Sequence, residues 1–207
     1  MISDPNNSGT SVVEPKQQRA KATYEALLAA AQDILASQGL YALNSNAVVT
    51  AANATPPTFY RYFKNKQQLL LTLGQRLMAV QNRELEAATD AVRHDDYFGQ
   101  IIATLRATYE VTVRFHGAHA LLLALRTTND LQHIRLESHN AMALASAPAI
   151  AAAKPALSDE EVFRRARLGV ELGYAAIEML LELPDFDVER ILHATAHGIL
   201  AMYLADD

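Results

Sequence analysis

Two adjacent prolines, Pro56-Pro57, fix more of this chain's local structure than any other pair of residues. Proline locks φ and lacks an N–H, so a helix tolerates it only in the first turn, where the N–H groups have no internal partner. Thr55 precedes the pair as a capping residue, and a brief helix is expected over 56–62. Asn53-Ala54-Thr55 before it reads as a turn, because Asn tolerates positive φ. Behind that turn lies a second short helix over 45–52, capped by Asn44. Asn65 with Gln68 has the spacing of a capping box, and it opens a long helix over 66–90 with Leu69, Leu73, Leu77 and Val80 on one stripe. Upstream, Tyr24, Leu27, Leu28, Ala31 and Leu35 recur at helical spacing over 24–37 and stop at Gly39, a residue suited to a left-handed helix end.

The remainder continues in the same manner. Its 37 alanines stand against 8 glycines and 7 prolines, a balance that favours helix. Further helices are expected near 96–115, 118–127, 130–152, 159–183 and 187–204, with Ser158-Asp159-Glu160-Glu161 as an acidic capping box and Pro184-Asp185 as the final break. No strand-like alternation and no repeat is visible, so the fold class is all-α. The chain has no cysteine, which excludes disulfides, thiolate metal sites and cysteine nucleophiles and fits a cytoplasmic protein. No apolar run is long enough to span a membrane. Residues 1–15 lack the apolar stretch of a secretory signal and read as a disordered tail. Charge is uneven. Residues 1–76 carry seven basic and four acidic side chains, a net +3, and the remainder eleven and nineteen, a net −8. An anionic partner for the first third is the simplest reading.

The segments 45–52 and 56–62, joined by a tight turn, have the spacing of a helix-turn-helix, spanning about 44–63. In that arrangement the second helix lies in the DNA major groove with its N-terminal residues toward the base edges. Here it offers the hydroxyls of Thr55 and Thr58, the Pro56 and Pro57 rings for thymine methyls, the Arg61 guanidinium, and Tyr60 and Tyr62 for phosphates. Asn44 and Ser45 begin the preceding helix, and Lys66 adds a cation at the start of the next. A small aromatic core is the alternative reading of Phe59, Tyr60, Tyr62 and Phe63. Four aromatics at that spacing cannot all face inward, so Phe59 and Phe63 are assigned to the core and the two tyrosines to the rim.

The stretch Gly39-Leu40-Tyr41-Ala42, followed by Ala52-Asn53-Ala54-Thr55-Pro56-Pro57-Thr58-Phe59-Tyr60-Arg61-Tyr62-Phe63-Lys64-Asn65-Lys66, closely resembles the DNA-binding domain of the tetracycline-repressor (TetR) family. The resemblance covers roughly residues 17–77, and its Thr-Phe-Tyr-x-Tyr-Phe-x-x-Lys string is highly specific. Departures are Asn53 at the usual turn glycine, Leu43-Asn44-Ser45 at the usual threonine pair, and Val48-Val49 at the usual Ile-Ala pair. The resemblance implies a DNA-binding domain over 16–77 and a helical effector-binding and dimerisation domain over 78–207. It also implies a double-stranded DNA operator, a small-molecule effector and a homodimer as partners.

Within the second domain, Gly169, Gly173 and Ala176 give one helix a small-residue face. With Ile177, Leu180, Leu192 and Ile199 they are the expected dimer interface, the alternative being packing inside one subunit. Phe98, Tyr109, Phe163 and Tyr174 are expected around an apolar ligand cavity. Arg106 is either a partner for an acidic effector or half of an intramolecular ion pair. His193 and His197 are four apart on one helix, but no third ligand is identifiable, so no metal and no other cofactor is expected. The zinc-peptidase pattern fails, and no phosphate loop, nucleophilic serine motif or carboxylate pair suggests an enzyme. The expected function is a repressor released from its operator by a small molecule. Alternatives are an activator, a co-repressor-dependent regulator, or a helical carrier or enzyme whose helix-turn-helix no longer reads DNA.

Overall fold

A computed structural model describes residues 15, 17–93 and 95–206, and the expected tail over 1–15 lies almost wholly outside them. Among the described residues the secondary structure is entirely helical. The order is α1 (Gln18–Gln38), α2 (Ser45–Ala51), α3 (Pro56–Tyr62), α4 (Lys66–Asp90), α5 (Tyr97–Arg114), α6 (Ala118–Thr127), α7 (Gln132–Ala153), α8 (Asp159–Glu182) and α9 (Val188–Leu204). A single 3₁₀ turn, Asn129–Leu131, precedes α7.

The termini follow from local chemistry. Asn44, Asn65 and Ser158 each accept a hydrogen bond from a backbone N–H of the first turn they open. The box at Asn65 closes one residue early, because Gln68 accepts from the Lys64 N–H rather than that of Asn65. Thr55 stands at the start of α3 without a capping bond, its hydroxyl 2.9 Å from that of Thr58. Asn53 adopts φ +49° in the α2–α3 turn, as its short polar side chain permits. Helix α1 begins six residues before the apolar pattern does, because its first turns are exposed and leave no periodic trace. Helix α7 continues through Pro148 to Ala153.

Helices α1 to α3 close around Tyr24, Leu27, Leu28, Phe59 and Phe63, all buried together with Leu69, Leu70, Leu73 and Leu77 of α4. Each such side chain contributes on the order of 2 kcal/mol by leaving water. The N-terminal half of α4 is thus part of the first domain's core. Its C-terminal half packs on α5 and α7 in a second helical layer completed by α8 and α9.

Polar contacts hold α1 against α4 and against the turn that follows α5. Arg76 of α4 donates two hydrogen bonds to the carboxylate of Glu25 on α1, at 2.6 and 2.8 Å. The turn between α5 and α6 docks on α1, where the Gln32 side chain donates to the His116 carbonyl. Gly117 in that turn has φ +78°, and a Cβ there would lie 2.8 Å from the Gln32 carbonyl oxygen, so both backbone conformation and space require glycine.

Candidate nucleic-acid interface and effector cavity

Folding α2 and α3 around buried Val48, Val49 and Phe59 leaves one polar face outward. Phe59 and Phe63 are buried, Tyr60 is exposed and Tyr62 is half-buried, packed edge-on against Tyr24. Asn44, Thr55, Pro56, Pro57 and Arg61 are exposed, and Ser45, Thr58 and Lys66 are half-buried. The Ser45 and Tyr60 hydroxyls approach to 3.3 Å, so the start of α2 and the middle of α3 form one continuous surface. Arg61 donates to the Tyr62 hydroxyl at 2.6 Å and lies over its ring, which places the guanidinium beside the α3 face rather than free in solvent. Lys66 Nζ is 3.4 Å from the Leu40 carbonyl. Fully exposed Tyr41 lies next to Leu40, and exposed Lys64 follows α3. Neither was singled out for this face; Tyr41 precedes the helical pattern, and only its exposure identifies it.

A cavity of about 550 Å³ opens in the second layer between α4, α5, α7, α8 and α9. Its floor is apolar, with Leu105, Val170, Ile177 and Ile199, and Thr104, Thr108, Tyr174 and Tyr203 supply hydroxyls. Of the five residues expected at a ligand site, Tyr174 alone borders it. Phe98 packs instead against His197 and His193 of α9, and Tyr109 packs against the adjoining apolar cluster of α5, α8 and α9 without bordering the cavity. Phe163 lies against the main core. Arg106 takes the intramolecular alternative, its guanidinium forming a bidentate pair with Glu189 that lowers the carboxyl's pKa. Periodicity places Phe98 and Tyr109 on a helix that does wall the cavity, but α5 is apolar over a broad face and only tertiary packing decides which part of it meets the cavity.

The expected dimer residues are corrected in the same way. Gly169, Gly173, Ile177, Leu180, Leu192 and Ile199 are buried within the subunit, and Ala176 is half-buried. Gly169 and Gly173 admit Tyr203 and Leu105 respectively, whose side chains a Cβ would strike. The small-residue face is real, but it serves close approach inside one chain. The outward face of α8 carries Leu168, Leu172 and Ala175, all exposed and spaced by helical turns, and exposed Leu183 follows directly after the helix.

Behind the cavity a buried chain of polar groups joins α8 to α4. The Tyr174 hydroxyl donates to Gln81 Oε1 at 2.9 Å, Gln81 Nε2 donates to the Thr112 hydroxyl at 2.8 Å, and that hydroxyl donates to the Thr108 carbonyl. Burial raises the pKa of the Tyr174 phenol, so it remains a donor. His139 stacks on Tyr174, and burial lowers its pKa to about 4, leaving it neutral. Its Nδ1 faces Glu171 at 3.0 Å. Burial works to raise the Glu171 pKa, but hydrogen bonds from Arg167 and His139 outweigh it and hold the carboxyl at about 2. No group of three or more metal-ligating side chains occurs among the described residues. No helix among them is long and apolar enough to cross a membrane.

Comparison with known proteins agrees with this geometry. Residues 27–73 match the family model described as bacterial regulatory proteins, tetR family. Solved structures share the whole fold at low identity. The fatty acid degradation regulator FadR from Bacillus halodurans superposes with a TM-score of 0.70 at 16% identity, covering 86% of this chain and 94% of that one. A TetR-family transcriptional regulator from Streptomyces coelicolor gives 0.67 at 19% identity, covering 87% and 88%. One from Syntrophomonas wolfei gives 0.70 at 13% identity, covering 89% and 96%. No curated protein sequence matches the chain.

Proposed function

We propose that the chain is a DNA-binding regulator of the TetR type, acting as a homodimeric repressor released from its operator by a small molecule held in the cavity. The observation that carries this reading is the placement of α4, whose first half is core to the reading head and whose second half is a wall of the cavity. The α3 face presents Thr55, Thr58, Tyr60 and Arg61 for base and phosphate contact, with Ser45, Tyr41, Lys64 and Lys66 positioned for the backbone on either side. Two copies are needed to reach half-sites about 34–36 Å apart. The exposed stripe of Leu168 and Leu172 on α8 and Leu183 directly after it, beside the small exposed residues Ala194, Gly198 and Ala201 of α9, is the surface proposed to join them. A ligand moves this system only through unequal affinity for the DNA-competent and DNA-incompetent arrangements.

The test is fluorescence anisotropy of the purified protein on DNA flanking its own coding sequence, at two salt concentrations. Specific binding with a steep salt dependence is expected. Arg61→Ala is expected to reduce discrimination between that DNA and random DNA, whereas Lys66→Ala weakens both about equally and lowers the salt slope by about 1. Leu172→Glu is expected to yield monomers by sedimentation and to lose operator binding with them. Binding that ignores salt, or a Leu172→Glu protein that remains dimeric, would overturn the corresponding part of the reading.

A further inference from the structure

Resting on the reading of the cavity as the effector site, we infer that its ligand is an amphiphilic organic cation, an apolar body ending in an ammonium or similarly positive group. The charge of the lining is one-sided. Among the described residues, Glu86 and Asp90 are the charged side chains that border the cavity. They stand one helical turn apart at the solvent-exposed end of α4, and no cation among the described residues is paired with either.

The backbone adds the same sign. The last turns of α4, with Thr89 and Asp90, and of α7, with Ala149, Ile150, Ala152 and Ala153, both reach the wall. Neither turn contains a basic residue. Helix C-termini leave carbonyls without intrahelical donors and carry about half a negative charge each. The positive pole at the cavity is the start of α5 at Tyr97, and it is already answered by the Asp96 carboxylate, which accepts from the Gly99 N–H at 2.8 Å.

Arg83, three residues before Glu86 on α4, is exposed and does not border the cavity, and the basic side chains that follow α4 and α7 are committed elsewhere. Lys154, directly after α7, pairs with Asp206. Arg93, after α4, makes a two-pronged pair with Asp95. Arg165 donates to Glu161 and to the carbonyls of Tyr203 and Ala205, which neutralises the end of α9. A carboxylate or phosphate head would therefore enter beside two carboxylates and two helix C-termini with no cation among the described lining residues to pair with, and desolvating it there is costly. A cationic head meets attraction at the same rim. The apolar floor of Leu105, Val170, Ile177 and Ile199 takes a hydrocarbon body.

Three probes of equal chain length separate the possibilities: decyltrimethylammonium, decanoate and 1-decanol, titrated below micelle formation by calorimetry into the full-length protein. The cation is expected to bind tightest, about tenfold or more over decanoate, since several exposed-charge interactions each contribute a few-fold. In the Glu86→Gln/Asp90→Asn double variant, checked for folding by its thermal melt, this advantage is expected to fall below about threefold. Thr104→Trp, which fills the cavity, should abolish binding of cation and alcohol alike. Decanoate or decanol binding as tightly as the cation would overturn the charge assignment while leaving the cavity as the effector site. Binding unaffected by Thr104→Trp, or no binding of any probe, would overturn the cavity reading and the inference with it.

Discussion

Tyr174→Phe removes one oxygen atom from the wall of the cavity, and its cost can be worked from the bonds it breaks. Tyr174 and Gln81 are buried, and the hydroxyl is the donor to Gln81 Oε1. The net worth of such a bond is about 1 kcal/mol, but deleting its donor also leaves a buried amide oxygen unsatisfied, which brings the expected loss to about 1–3 kcal/mol. For a chain of this size that corresponds to a fall in Tm of roughly 2–12 °C. Replacing Gln81 as well, by Met, removes the orphaned acceptor together with its partner. The double variant is therefore expected to lose clearly less than the sum of the two single variants, a coupling of about 1 kcal/mol or more in a double-mutant cycle. The assay is urea unfolding followed by circular dichroism at one fixed protein concentration, because assembly would contribute to apparent stability. Additive losses would show that the hydroxyl does not donate to Gln81. An unchanged midpoint for Tyr174→Phe would refute the buried chain altogether.

Two further outcomes follow from the same packing. His139 is fully buried with a pKa lowered to about 4, so the unfolded chain binds a proton more readily than the fold does between that value and the ordinary 6.5. Its contribution is complete above about pH 6.5 and is lost as pH falls toward 4, at up to about 1.4 kcal/mol per pH unit. Chemical denaturation across that window should display this slope, and His139→Gln should flatten it; a variant as pH-sensitive as the parent would contradict the assignment. Gly117→Ala places a side chain at φ +78° and against the Gln32 carbonyl, and is expected to cost about 2 kcal/mol or more. A urea midpoint within error of the parent would show that the α5–α6 turn does not seat on α1 as described.

What the sequence made legible was the part governed by local chemistry. Pro56-Pro57, the capping asparagines and Asn53 each act on their own backbone neighbours, so α2, α3 and the turn between them could be placed within a residue. The division of Phe59 and Phe63 from Tyr60 and Tyr62 followed from helical geometry alone. The cavity and the outer face of α8 were not legible, for a physical reason. In α5 and α8 apolar residues occupy more than one face, and spacing cannot tell a face that meets a neighbouring helix from one that borders a void. Gly169 and Gly173 illustrate this, since small residues signal close approach without naming the partner, and the partners proved to be Tyr203 and Leu105 of the same chain. Nothing in the spacing of Glu86 and Asp90 separates them from ordinary solvated charges, and only the fold sets them at the rim.

The arrangement of α4 explains why a ligand so far from α3 can matter under the proposed reading. From Leu69 to Leu77 the helix is locked among buried side chains of the first domain, and Arg76 clamps it to α1. Five residues later, about 7.5 Å along the axis, Gln81 is held by Thr112 and Tyr174 of the second layer. Beyond that point Leu85, Thr89 and Asp90 face the cavity rather than a packed neighbour. A continuous helix that is rigidly seated at one end and borders a cavity at the other transmits displacement, because close-packed interiors shift between discrete arrangements rather than deform smoothly. An occupant pressing on Leu85 therefore biases the tilt of α4, and the Arg76–Glu25 clamp carries that tilt into α1 and the reading head. The coupling available to such a device is about 1–3 kcal/mol, enough to change operator affinity roughly 5- to 150-fold. Glu25→Gln keeps the size of the side chain but removes its charge, and is expected to leave the ligand bound while shrinking its effect on DNA affinity. Anisotropy titrations with and without decyltrimethylammonium measure that directly, and an undiminished ligand effect in Glu25→Gln would place the transmission elsewhere, at the turn that carries Gly117.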